Sequence, residues 1–397
     1  MPALIRQRAL GAKPETTEGT FNTPGSANAG IHIYNPKIDF KPDLFKRNPA
    51  RASLSPLAPI TGILRGTISF RCEIKGPDNV SSNLGIPEID VLLRACGYKR
   101  IDTGAAPVTA RAYKPTSYMK PHLTTTLSAG ATAGSSVSIQ VTSSTGFAIG
   151  DVVNIAGSSL AREEGNMTIT AIADGTHITV DTLTANKNNG DTVERVSAAI
   201  PLSLEIQDAE KSYRMRGARG NAKIMCKVGE PAMIDFTFSG GVETVTDSFT
   251  AFAPTFGSKT PPAFFSAGLN LGGAYSGATF TSIEFDTANV LGPRESGNSS
   301  TGILSTLITN REPKGKFDPE SVTEATYAYW TKLLASTGAS LSVAVGSTSK
   351  NRVTITSPAI VLDQIADEER TGISTYGVGF TCTTTGTGED ELVITYD

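Results

Sequence analysis

Tryptophan is almost missing from this chain of 397 residues: Trp330 is the one example, and Phe, Tyr and Trp together make up 7%. Carbohydrate sites favour Trp and Tyr platforms, so a sugar-binding surface is disfavoured. The three histidines (His32, His122, His177) are scattered. The four cysteines (Cys72, Cys96, Cys226, Cys382) show no C-x-x-C spacing and no neighbouring His. That pattern gives no support to zinc or thiol redox chemistry and reads as buried free thiols in a reducing compartment. No run of about 18 apolar residues exists, so no membrane-spanning helix is expected. The N-terminal stretch MPALIRQRALGAKPETTEGT lacks the apolar core of a signal peptide, which implies a protein made and kept in a cytoplasm. Charged residues are 18%, thin for a soluble monomer, and consistent with much surface hidden in an assembly.

Catalytic motifs are missing too. There is no GxSxG, HExxH, Walker A loop or strand–GxGxxG–helix. The glycine-rich run 269–277 has no following helix to cradle a phosphate. Acid pairs at Glu163–Glu164 and Asp367–Glu368–Glu369 read as solvated turns. GDVV at 150–153 and ADGT at 173–176 lack the acidic spacing of a calcium loop. Arg214, Arg216 and Arg219 are the one local basic cluster; with no interleaved aromatics they read as the polar face of a hairpin, with Met215 opposite. The expectation is a protein without enzyme activity, with no catalytic, cofactor or metal residues.

Glycine (39 residues) and β-branched texture are abundant and favour an all-β class. A weak internal repeat organises them. A helix is expected over 85–98, opening at Pro87 and capped by Gly97. Its counterpart spans 321–338, with a Ser321-x-x-Glu324 capping box and Gly338 as cap. Aligning the two glycines puts Ile89 on Trp330, Leu92 on Leu333 and Leu93 on Leu334, giving each helix one apolar stripe for a core. LSLEIQDAEKS from Leu202 matches LSVAVGSTSKN from Leu341, and RGTISFRCEI from Arg65 matches KGKFDPESV from Lys314. Internal repetition dictates architecture.

The first copy is longer between helix and strand, and the excess is distinct. Residues 123–196 alternate Val, Ile and Thr between Gly-Asp, Asp-Gly and Asn-Gly turns, as in a small all-β module, with SAGATAGSS as its linker. The organisation read from this is a Pro/Gly-rich arm over 1–50, with a short strand at Ile31–Tyr34, and a first domain over 51–122 and 197–242. The insert 123–196, a linker 243–277 and a second domain 278–397 complete it. Net charge is −3 but uneven: residues 1–120 carry +8, 121–196 carry −4 and 197–397 carry −7. A basic front and an acidic back favour head-to-tail attraction between identical subunits.

KPETTEGTFNTP near the N-terminus, LLRACGY at the first helix and MRGARGNAKIMCKVGEPAMIDFTFSG after the insert resemble the major tail tube protein family of long-tailed phages. In the second copy ITNREPKGKF, SPAIVLDQI and GEDELVITYD carry the likeness. It covers most of 10–120 and 200–397. The insert resembles optional decoration domains of phage tails. The resemblance implies two tandem β-sandwich or barrel domains, each with one short helix. It also implies a virion protein whose rings stack into a tube for genome ejection. Two tube domains per chain imply a homotrimeric, pseudo-hexameric ring; without the repeat, a hexamer of chains. Expected partners are further copies of itself, the tape measure protein and double-stranded DNA in the lumen, and terminator and distal tail proteins at the ends. Assembly would occur in the bacterial host cytoplasm. A lumen conducting DNA should be acidic or neutral. Alternate residues in 65–76, 202–211, 311–322 and 341–350 are the places to look, with Glu73, Glu205, Asp318 and Glu320 as candidates and Arg71 and Lys316 counting against the assignment. The competing readings are a tail cap or terminator, a receptor-binding adhesin and a secreted β-sandwich hydrolase.

Overall fold

The computed structural model describes residues 7–51, 53, 55–78, 84–103, 108–156, 164–183, 185–247, 249–273, 275–386 and 388–397. Among them the fold is all-β with minor helix. There is one 15-stranded sheet, one six-stranded sheet, a two-stranded ribbon, and two short helices, Asp90–Ala95 (α1) and Tyr329–Leu334 (α2).

Eight strands of the large sheet lie side by side. They run Tyr34–Phe45, Ile60–Glu73, Met233–Thr246, Ser212–Lys227, then Phe280–Asp286, Lys314–Pro319, Ile373–Thr383, Val353–Arg370. The second four repeat the order of the first four: an opening strand, its hairpin mate, then a long hairpin whose second arm comes before its first. A further pair repeats as well. Ala9–Pro14 joins Leu202–Gln207 onto the start of Ser212–Lys227. Asn270–Leu271 joins Ala339–Val345 onto the start of Val353–Arg370. In each half a helix lies in the connection to that extra pair. The register breaks beside Arg216–Arg219 and beside Leu362–Gln364, where bulges bend the long strands. The halves are not separate bodies: the sheet crosses from one to the other, and one apolar core serves both. Phe70, Phe236 and Phe238 pack together in the first half, and Phe285, Phe317 and Phe380 in the second.

Several local expectations are corrected. α1 begins at Asp90, not at Pro87, because Pro87 to Asp90 close a turn first, with the Asp90 amide donating to the Pro87 carbonyl. Gly97 does take the left-handed cap conformation, φ 90°. α2 is six residues long, since the Ser321 amide is engaged by the Ser374 carbonyl and continues the sheet. Glu324 still serves the helix, accepting from the amides of Trp330 (3.0 Å) and Thr331 (3.2 Å). The left-handed residue after α2 is Ser336, φ 49°, and not Gly338. Tyr329 is the buried anchor of α2, while Trp330 and Leu334 face outward. The strand expected at Ile31–Tyr34 starts only at Tyr34 and runs to Phe45, so residues read as arm belong to the sheet. SAGATAGSS gives way to a strand at Gly134.

The described strands between Thr124 and Arg195 form the six-stranded sheet, with their own apolar cluster built on Ile139, Val153, Ile155, Ile169, Ile178 and Val180.

Candidate assembly interface

The seam between the two halves is a strand junction. Phe280–Asp286 lies antiparallel on Lys223–Lys227, with Phe285 opposite Ile224 and Ile283 opposite Cys226. On its other side Phe285 faces Gly315 and Ile283 faces Phe317. Gly315 is required there: an added Cβ would lie 2.3 Å from the Glu284 carbonyl oxygen and 2.5 Å from the Phe380 ring. The first half has the same arrangement, with Phe40 opposite Gly66 and Ile38 opposite Ile68. A Cβ on Gly66 would strike the Phe40 ring at 2.7 Å. Phe40 and Ile38 are thus the counterparts of Phe285 and Ile283. The latter are 0% exposed; the former are only half-buried, because no described strand pairs with the outer edge of Tyr34–Phe45. Pro36 and Pro42 bound a proline-free window on that edge, Lys37–Lys41. It is the counterpart of Ser282–Asp286, the residues that pair at the seam.

A second edge is open at the far end of the run. Val353–Arg370 is covered by Ala339–Val345 as far as Ile360, and beyond that only Ile373–Thr383 pairs with it. Asp367, Glu368 and Glu369, expected in a turn, stand on this strand and are exposed. The open stretch 361–370 carries Asp363, Asp367, Glu368 and Glu369 against Arg370. The other edge and its connection, 34–51, carry Lys37, Lys41, Lys46, Arg47 and Arg51 against Asp39 and Asp43. The 361–370 edge is acidic; the strand Tyr34–Phe45 is itself balanced, with Lys41 paired to Asp39 at 2.6 Å, and the basic excess lies in the connection that follows it. Exposed edges of this length are a liability unless paired or protected.

The sheet face turned away from the core is polar, and several of its charges are paired, although Lys314 and Lys316 have no ion pair among the described residues. Arg71 binds Asp235 through Nε (2.5 Å) and Nη2 (2.9 Å), and Lys223 binds Glu284 at 2.8 Å. Arg370 bridges Asp318 and Glu320, both at 3.2 Å. Glu73 accepts from the Tyr34 hydroxyl, and Lys316 is exposed. The sequence reading of this face fails in one respect. Glu205 is buried, accepting from Ser212 Oγ and Gln207 Nε2 and pairing with Arg214, and every residue of Leu202–Gln207 is buried because that strand is covered on both sides. The arginine cluster is committed to the fold as well. Arg216 donates to Ser299 and Thr301, and Arg219 donates to Glu18 and the Thr306 carbonyl.

The six-stranded insert is joined to the body by a buried charge cluster. Glu194 Oε1 accepts from Arg94 of α1 at 2.5 Å, and Oε2 accepts from Arg100 at 3.1 Å. Asp90 and Asp102 complete the compensation of Arg100, and Asn154 of the insert donates to Asp102. Burial alone would raise the Glu194 carboxyl, but Arg100, Arg94 and His122 hold it well below the usual range. His122 lies beside them; burial pushes its imidazole down to about 4, against an upward pull from Glu194.

A cleft of about 480 Å3 separates the insert from Lys99–Ile101, and its Lys99 is already paired with Glu389 at 2.6 Å. Among the described residues no three His, Cys, Asp or Glu converge on a metal position. Asp151 and Asp174 instead close their own turns, onto the Ala148 and Thr176 amides. Glu163 and the Glu164 side chain lie outside the described residues. The four cysteines are free and buried, with burial pushing every thiol up. No helix is long and apolar enough to cross a membrane among the described residues. No protein-family model and no curated protein matches the sequence. The edge strand at 34–45 was missed in the sequence because Pro36, Pro42 and alternating Lys and Asp mask Ile38 and Phe40. The matching Phe–Gly pairs were the available signal.

Proposed function

We propose that this chain is a structural virion protein: the major tail tube subunit of a long-tailed phage. Three copies, each with two equivalent halves, close a pseudo-hexameric ring, and stacked rings conduct double-stranded DNA during genome ejection. One observation carries the reading. The seam inside the chain joins two four-strand units edge to edge, and the eight-strand run leaves one free edge of each type, one acidic and the other leading into a basic connection. A repeating heterologous contact of this kind closes into a ring when its rotation permits.

We assign the polar sheet face to the lumen. Arg71, Lys223 and Arg370 there are each matched to carboxylates, which limits the attraction for DNA to that of Lys314 and Lys316. Catalysis has no part in this function. The expected partners are other copies, the tape measure protein and DNA inside the tube, and terminator and distal tail proteins at its ends.

Negative-stain electron microscopy of the purified protein at rising concentration tests the reading. Hollow stacked rings with three chains in end-on averages are expected. Persistent monomers would overturn it and favour a tail cap or adhesin.

A further inference from the structure

The seam inside the chain includes more than a strand pair. Between Phe280–Asp286 and Lys314–Pro319 the chain extends into the ribbon Asn289–Glu295/Ile303–Arg311, which folds over the first half. It is held there by Arg216 and Arg219, and it closes the end of α1. Asn289 Nδ2 donates to the Cys96 carbonyl at 2.8 Å, and Ile308 stands 3.0 Å from where a Cβ on Gly97 would be. In the first half the corresponding extension is the ribbon made by the ends of Tyr34–Phe45 and Ile60–Glu73, together with its connection. Its base touches the 289–311 ribbon, the Leu64 amide donating to the Thr301 carbonyl at 3.2 Å and Arg65 pairing with Glu295 at 2.9 Å, but its tip is uncovered. Leu44, Phe45 and Ile60 at its tip are exposed, Phe45 by 60%. The corresponding helix end in the second half is bare: Leu334 of α2 is 84% exposed and Trp330 is 40% exposed.

We infer that the 34–73 hairpin of one copy docks on the second half of another copy, its Lys37–Lys41 edge along 361–370 and its Leu44–Phe45–Ile60 tip over Trp330 and Leu334. The occupant is a second copy of this chain, for three reasons. The arrangement is already realised between the two halves. It would cover exposed apolar side chains on both sides, Leu44, Phe45 and Ile60 on one and Trp330 and Leu334 on the other. The charges are compatible: the Lys37–Lys41 window has one excess cation, since Lys41 pairs with Asp39 at 2.6 Å, and its basic connection adds Lys46, Arg47 and Arg51 against Asp367, Glu368 and Glu369. The inference rests on the self-assembly reading above and names the contact that makes it.

Two chains, Phe45→Cys and Leu334→Cys, carry different tags and are mixed, assembled and treated with a short bismaleimide. All four native thiols are buried, so the engineered pair reports cleanly. A covalent heterodimer is expected in the mixture and in neither chain alone. A control pairing Phe45→Cys with Thr237→Cys, on the open sheet face, should stay uncoupled. In parallel, Glu368→Lys/Glu369→Lys should weaken association by roughly tenfold or more, and adding Lys37→Glu/Lys41→Glu to the same chain should restore it. Rings seen by electron microscopy, with no heterodimer and no effect of the charge reversals, would overturn this contact and leave the self-assembly reading standing. A wild-type chain that stays monomeric in sedimentation overturns both.

Discussion

Phe40 occupies in the first half of the chain the place that Phe285 occupies in the second, each directly across the ladder from a glycine that cannot carry a side chain. A further strand covers Phe285, whereas no described strand covers Phe40. The two alanine variants should therefore differ in the isolated chain. Phe285→Ala, at a fully buried site, should cost about 3–5 kcal/mol. Phe40→Ala should cost roughly 1–2 kcal/mol, since its ring is still half in water. Urea unfolding of both at a concentration too low for association checks this; equal losses would refute the idea that the outer edge is unfilled.

Much of this architecture was legible in sequence. Arg65–Gly66 and Lys314–Gly315 hold equivalent strand positions, whereas Leu202 and Leu341 lie on equivalent strands out of register, since Leu202 precedes a bulge at the place that Ala339 takes in the second half. Matching them needed only period two and a glycine that tolerates close packing. The helices were overextended because capping residues and apolar spacing look alike whether or not tertiary bonds have claimed the backbone. Ser321 is bonded to Ser374 across the sheet, and no local rule sees a partner 53 residues away. Trp330 and Leu334 read as core for a related reason: periodicity reports an apolar stripe and is silent on what covers it. Glu205 looked available for a channel because alternation assumes one wet face, whereas its strand is covered on both.

Removing the carboxylate that ties the insert to α1 should be costly. Glu194→Gln leaves Arg94 (1% exposed side chain) and Arg100 (2%) short of a negative partner. Leaving a buried charge uncompensated costs several kcal/mol, tempered here because Glu194 itself keeps 20% exposure; a loss of about 2–3 kcal/mol is expected. The midpoint of chemical denaturation is the readout. An unchanged midpoint would mean the cluster contributes nothing to stability.

Acid should loosen the same junction. His122 has its folded pKa depressed to about 4, below the ordinary value of 6.5. Between those values the unfolded chain binds more protons than the native one, so stability falls as pH drops from 6.5 towards 4. Glu194, also depressed, adds a loss in the same direction as pH falls below its ordinary 4.5. Glu15 works the other way, since burial raises its carboxyl. The clean test is therefore a difference: His122→Gln should show a flatter dependence of melting temperature on pH between 6.5 and 4 than the parent protein. Parallel curves would remove His122 from the account.

The last prediction concerns the polar sheet face, where Arg71 and Lys223 each sit against a carboxylate on the neighbouring strand. If this face lines a DNA channel, its neutrality is what lets DNA slide. Asp235→Asn and Glu284→Gln together would free two cations per chain, repeated around every ring, while leaving the hydrogen-bonding shapes nearly intact. Each cation that neutralises a phosphate releases counterions, so binding should appear at low salt and vanish steeply as salt rises. Double-stranded DNA retention by assembled protein, compared at low and physiological salt, is the measurement. The parent assembly should retain little DNA at either, and the double variant should retain it only at low salt. Strong retention by the parent would place this face elsewhere than on a DNA channel. Indifference of the double variant would show that the paired carboxylates do not control the contact.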